Sequence, residues 1–90
     1  MNVIIQSPTG IDKKLSEIES MTMQLSSGEY VSILTNHAPM VALLASGTLK
    51  YKKMQNEFSI PISESILYVK NNLVKIMTIA NYSQDIGNDQ

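Results

Sequence analysis

His37 is the residue whose side chain could most readily act as a catalytic base, because it is the only histidine in the chain. A nucleophile needs a nearby base, and that base needs a third group to orient it. The eight acidic residues are scattered, and none stands in a recognisable pattern with His37. We therefore predict no catalytic residue. His37 should instead use one ring nitrogen to hold the turn at residues 35–39 and present the other to solvent or a partner.

The sequence also offers few residues that could bind a metal ion or a cofactor. The chain has no cysteine, and one histidine alone makes a poor zinc site. Gly28 and Gly47 are isolated, so no glycine-rich loop is present to hold a phosphate. The sequence predicts no metal and no cofactor.

The one basic cluster is Lys50-Tyr51-Lys52-Lys53. In a strand, Lys50 and Lys52 would share one solvated face. The chain has no arginine and a single phenylalanine, which argues against phosphate recognition and against base stacking on an aromatic platform. We predict no nucleic-acid partner.

Length and hydropathy bound the class of protein. Ninety residues make one domain, and the net charge is −1. The N-terminus lacks the basic flank and long apolar region of a signal peptide. The longest apolar run, residues 39–45, is far shorter than a membrane-spanning helix. These features predict a cytoplasmic protein that does not insert directly into a membrane.

The elements around His37 are a strand, a corner and an apolar run. Residues 29–34 alternate, with Val31 and Ile33 on one face, which is typical of a strand. Pro39 lacks a backbone N–H and disfavours a helical residue before it, so residues 35–39 form a turn. Residues 40–45 carry no charge, and we expect them to be buried in the core.

Short strands separated by turns account for most of the remaining chain. Asn71-Asn72 between β-branched runs predicts a tight hairpin with positive φ. Pro61 within a strand-like run predicts an edge or a bulge. Residues 11–25 fit both an amphipathic helix and a strand, and residues 12–14 suit a surface turn. The pattern predicts an all-β fold, a sandwich or small barrel.

The stretch at residues 33–47, ILTNHAPMVALLASG, resembles the family stretch usually written GILPGHAPLLTAIKPG. That family is the epsilon subunit of F-type ATP synthases. Weaker similarity, in the right order and spacing, extends over residues 3–10, 18–23, 58–69 and 72–80.

The resemblance implies a two-sheet β-sandwich, as in the N-terminal domain of the epsilon subunit, at residues 1–82. A polar tail, poorly ordered, would follow at residues 83–90. It also implies a strand at residues 18–25. The implied partners are the gamma subunit and the polar loops of the membrane ring, and the implied role is mechanical coupling without catalysis. The matching partner-contact residues, all of them expected to face the ring, are Ser27, Gly28, Glu29, Asn36 and His37.

Several positions depart from the family pattern. Its glycine before Ile33 is Ser32 here, the Pro-Gly before the histidine is Thr35-Asn36, and a Gly-Gly pair is Glu64-Ser65. The family often continues into a helical hairpin that inhibits hydrolysis and in some members binds ATP. We expect neither here. Two alternatives remain: a similar subunit of an ATPase that drives another machine, such as motility, without a proton ring, and a free-standing β adaptor that binds a peptide at a sheet edge.

Overall fold

A computed structural model of the chain describes residues 1–79, apart from the side chains of Ile11 and Asp12. The predicted polar tail and the end of the predicted domain lie outside these residues. The described part contains nine strands, which are β1 Asn2–Ser7, β2 Gly10–Leu15, β3 Ser20–Gln24, β4 Tyr30–Leu34, β5 Met40–Leu44, β6 Gly47–Lys53, β7 Asn56–Ile62, β8 Ser65–Lys70 and β9 Leu73–Thr78. No helix able to cross a membrane occurs in this part of the chain.

The strands form two sheets, which confirms the predicted all-β sandwich. The first sheet has five strands in the order β2-β1-β9-β8-β5, and the second has four in the order β4-β3-β6-β7. Neighbours are antiparallel except for β1 and β9, which run parallel with Val3 opposite Val74. The sheets are joined at one corner, where Leu25 forms a single bridge to Leu44.

The core lies between the inner faces of the two sheets. Alternation along β1, β3, β8 and β9 directs every second side chain inward, as the pleat of a strand requires. The buried apolar residues are Val3, Ile5, Ile18, Met21, Met23, Ile33, Leu44, Leu49, Leu67, Val69, Val74 and Ile76. Met21 and Met23 are fully buried, so the core uses the adaptable thioether side chain as a filler.

Residues 11–25, whose pattern fitted both a helix and a strand, contain most of β2 and the whole of β3. Ser20–Gln24 is β3, which confirms the strand implied by the resemblance. The turn predicted at residues 12–14 is wrong, because these residues lie within β2. Lys13 pairs with Ile5 and Lys14 with Ile4 across β1, so the ladder of hydrogen bonds outweighs the weak β preference of lysine.

The asparagine pair and Pro61 lie where the sequence predicted a hairpin and an edge strand. Asn71 and Asn72 have φ angles of 54° and 60°, which confirms the predicted tight hairpin between β8 and β9. Pro61 lies on β7, one of the two edge strands of the second sheet, as predicted.

Candidate partner-binding surfaces

The five predicted contact residues fall into two groups at opposite ends of β4. Ser27, Gly28 and Glu29 precede Tyr30, whereas Asn36 and His37 follow Leu34. A strand of five residues spans roughly 13 Å from its first to its last Cα. The structure therefore does not bring the two groups together into one site.

The first group forms the tip of the β3–β4 hairpin, which we call the hairpin loop, residues 25–29. Leu25 N–H donates to Glu29 O at 2.7 Å, and Gly28 N–H donates to Leu25 O at 2.9 Å. The Gln24 side chain adds a bond from Nε2 to Gly28 O at 3.1 Å. Gly28 has a φ of 100°, a conformation that side chains rarely adopt. Glu29 is exposed, so the loop presents a carboxylate on a well-braced backbone.

The second group forms what we call the polar corner, residues 35–39, which carries the chain from the second sheet to the first. His37 N–H donates to Leu34 O at 3.0 Å, and His37 Nδ1 lies 2.7 Å from Ala38 O. A carbonyl oxygen only accepts, so Nδ1 carries the proton and Nε2 is the acceptor of the neutral ring. One ring nitrogen thus bonds to the turn itself, as the sequence predicted.

The surroundings of His37 are described for residues 1–79 only. No hydrogen bond or ion pair joins it to a carboxylate within residues 1–79. That same part of the chain holds no cluster of three His, Cys, Asp or Glu residues that could bind a metal ion. The His37 side chain is half-buried beside a recess of about 440 Å³, which is lined by Asn36, His37, Ala38, Pro39, Asn71 and Asn72.

A third surface was not predicted from the sequence. We expected residues 40–45 to be buried, but only Leu44 is. Met40, Ala42 and Ala45 are half-buried, and Val41 and Leu43 are 67% and 55% exposed. They lie on β5, an edge strand of the first sheet, with their side chains on its outer face. Every residue of β5 is apolar, so no alternation was visible to indicate that only one face is covered.

The neighbouring strand β4 shows the same property. Tyr30 is 70% and Leu34 is 57% exposed, and β4 is an edge strand of the second sheet. The polar corner connects β4 directly to β5, so the two edge strands follow each other, with Tyr30 and Leu34 on the outer face of the second sheet and Val41 and Leu43 on that of the first. We call them together the uncharged edge, since neither strand contains a charged residue or a proline.

The other two edge strands are built differently. β2 carries Lys13 and Lys14, and β7 carries Glu57 and Pro61. Charged residues and proline on an edge strand discourage pairing with another chain. The uncharged edge has no such protection, although Ser26 N–H already bonds to Leu43 O at 2.9 Å at one end of β5. An unprotected edge with exposed apolar side chains is typical of a surface that a partner covers.

The departures from the family pattern are accommodated within the fold. Asn36 has a φ of 66°, so it adopts the left-handed conformation that glycine takes readily. Ser65 is fully buried at the start of β8, and its hydroxyl donates to Ser63 O at 2.7 Å. Glu64 O accepts from Ile79 N–H at 3.0 Å.

Comparison with known sequences finds one matching family model. Residues 1–82 match the family model of the ATP synthase, Delta/Epsilon chain, beta-sandwich domain. The ATP synthase epsilon chain of Leptospira borgpetersenii serovar Hardjo-bovis (strain JB197) is 37% identical over 78 residues. The aligned region covers 87% of this chain and 60% of that relative, so this chain spans well under the full length of the relative.

Solved structures show the same fold at low identity. One similar chain comes from the central stalk and c-ring of the mitochondrial ATP synthase of Tetrahymena thermophila, with a TM-score of 0.69 and 15% identity over 100% of this chain and 72% of that one. Another comes from the mitochondrial ATP synthase of Euglena gracilis, with a TM-score of 0.75 and 17% identity over 94% of this chain and 58% of that one.

Proposed function

The chain belongs to the delta/epsilon family of ATP synthase chains, and on that basis we propose that it is a non-catalytic rotor subunit of an F-type ATP synthase. In this role it binds the gamma subunit and couples rotation to ATP synthesis or hydrolysis. It works at the cytoplasmic face, peripheral to the membrane. Its contribution is mechanical, so its surfaces need shape and polarity that match a partner and need no activated side chain.

The observation that carries the proposal is the uncharged edge. Val41 and Leu43 are each more than half exposed, and they lie beside Met40 and Ala42 on a strand without charge. Covering such side chains stabilises a complex because apolar surface is removed from water. The gamma subunit is the occupant that the family membership supports.

The two groups of predicted contact residues meet different partners in this proposal. The resemblance implied that Asn36 and His37 face the ring. We propose instead that they extend the surface that faces the gamma subunit, because the polar corner is continuous with the uncharged edge. The hairpin loop, with Ser27, Gly28 and Glu29, lies at the far end of β4 and faces the polar loops of the membrane ring. A loop that is braced by hydrogen bonds and exposes a carboxylate is better suited to contact polar loops than to contact an apolar surface.

Affinity purification of the full chain from its native cells tests the proposal. We expect a gamma-like subunit and the catalytic ATPase subunits to be recovered with it in a complex that survives gel filtration. A chain recovered without any ATPase subunit would refute the rotor role. Recovery with ATPase subunits but without ring proteins would refute the ring contact and support the alternative of an ATPase that drives another machine.

A further inference from the structure

Asn36 and Asn72 are far apart in sequence and face each other through two hydrogen bonds. Asn36 N–H donates to Asn72 Oδ1 at 2.6 Å, and Asn72 Nδ2 donates to Asn36 Oδ1 at 3.0 Å. The first bond fixes the orientation of the Asn72 amide, because a backbone N–H can only be met by the oxygen. The nitrogen of the same amide then faces Asn36 Oδ1, so the two bonds form one clasp.

The two halves of the clasp differ in how firmly they are held. Asn72 lies in the β8–β9 hairpin, and its own carbonyl accepts from Asn2 N–H at 2.9 Å, which ties it to β1. Asn36 lies in the polar corner, between the two sheets, where the bond from His37 N–H to Leu34 O provides local support. The hairpin is therefore the fixed side, and the corner is the side that the clasp holds in place.

We propose that Asn72 is a positioning residue, which holds the polar corner in the conformation that meets the partner on the uncharged edge. This inference rests on the proposed binding of the gamma subunit. His37 directly follows Asn36, so the direction of its ring depends on the backbone that the clasp fixes. Without the clasp, the corner would have to be ordered during binding, and the affinity would fall because that ordering costs conformational entropy.

Asn72→Gly removes both bonds of the clasp and keeps the turn. Glycine adopts the φ of 60° at this position without strain, so the hairpin and the domain should still fold. Asn71→Gly is the matched control, since Asn71 has a φ of 54° in the same hairpin and takes no part in the clasp. Asn72→Asp keeps an acceptor for Asn36 N–H but loses the donor to Asn36 Oδ1, so its effects should be intermediate.

Two measurements on the full chain decide the inference. Amide hydrogen exchange at Asn36, followed by NMR, should become about tenfold faster in Asn72→Gly and stay unchanged in Asn71→Gly. Titration onto the gamma-containing catalytic complex, purified without this subunit, should show an affinity loss of about tenfold for Asn72→Gly alone. His37→Ala should show a similar loss of affinity with no change in exchange at Asn36.

Each contrary result has a distinct meaning. Unchanged exchange at Asn36 in Asn72→Gly would overturn the positioning role, and so would faster exchange with unchanged affinity. Wild-type chain that fails to bind the gamma-containing complex at all would overturn both the inference and the function on which it rests. Equal effects of Asn71→Gly and Asn72→Gly would show that the hairpin conformation matters and the clasp does not.

Discussion

Replacing Val41 and Leu43 together by serine removes most of the apolar surface that the outer face of β5 offers to a partner. Full burial of a Val or Leu side chain contributes about 1.5–3 kcal/mol. Val41 is 67% and Leu43 is 55% exposed in the isolated chain, so the partner can gain roughly these fractions of that free energy. If it covers both side chains, the double substitution should cost about 2–4 kcal/mol, which corresponds to an affinity loss of about 30- to 700-fold.

Isothermal titration of each variant onto the gamma-containing catalytic complex measures this loss. Met54→Ser is the matched control, because Met54 is 72% exposed and lies in the β6–β7 turn, away from β5. Its affinity should stay within about threefold of the wild type. Thermal unfolding should show that both variants remain folded, since the substituted side chains are largely in water. Wild-type affinity in the double variant would refute the assignment of the uncharged edge as the docking surface.

Two further predictions concern the scaffold that holds these surfaces. Leu67→Ala should lower the free energy of unfolding in urea by about 2–5 kcal/mol because Leu67 is fully buried. Leu34→Ala is the control, and it should lower that free energy by less than about 1 kcal/mol because Leu34 is exposed. Equal costs of the two substitutions would contradict the assigned core. Gly28→Ala should cost about 1–2 kcal/mol by the same assay. The added Cβ at Gly28 meets no atom within 4 Å, so the strain of its φ of 100° would be the whole cause, and an unchanged midpoint would refute it.

The local structure around the polar corner was largely predictable from the sequence. The alternation predicted that Val31 and Ile33 share one face of β4. In the structure, that face is turned toward the core. Pro39 marked the turn, and Asn71-Asn72 marked the hairpin, because these residue types restrict or tolerate particular backbone angles within one or two residues. The partner-contact role of Ser27, Gly28, Glu29, Asn36 and His37 stays a prediction.

Other features could not be read from local patterns. The run of five apolar residues in β5 shows no alternation, so a half-exposed edge strand and a buried central strand have the same appearance in sequence. The lysines of β2 suggested a turn, although the ladder with β1 extends the strand through them. The clasp between Asn36 and Asn72 had no signal at all, since neither residue type nor spacing links two separate turns.

The sequence by itself determined the class of fold, the positions of most strands and turns, and the family, because alternation, turn residues and motif order act over short stretches of chain. Only the tertiary structure decided which strands lie at the edges, and therefore that Val41 and Leu43 face water. It also showed that the two groups of predicted contact residues lie at opposite ends of β4. The physical reason is that an edge is defined by the absence of a neighbour. The only strand that pairs with β5 along its length is β8, and that pairing joins residues far apart in the chain.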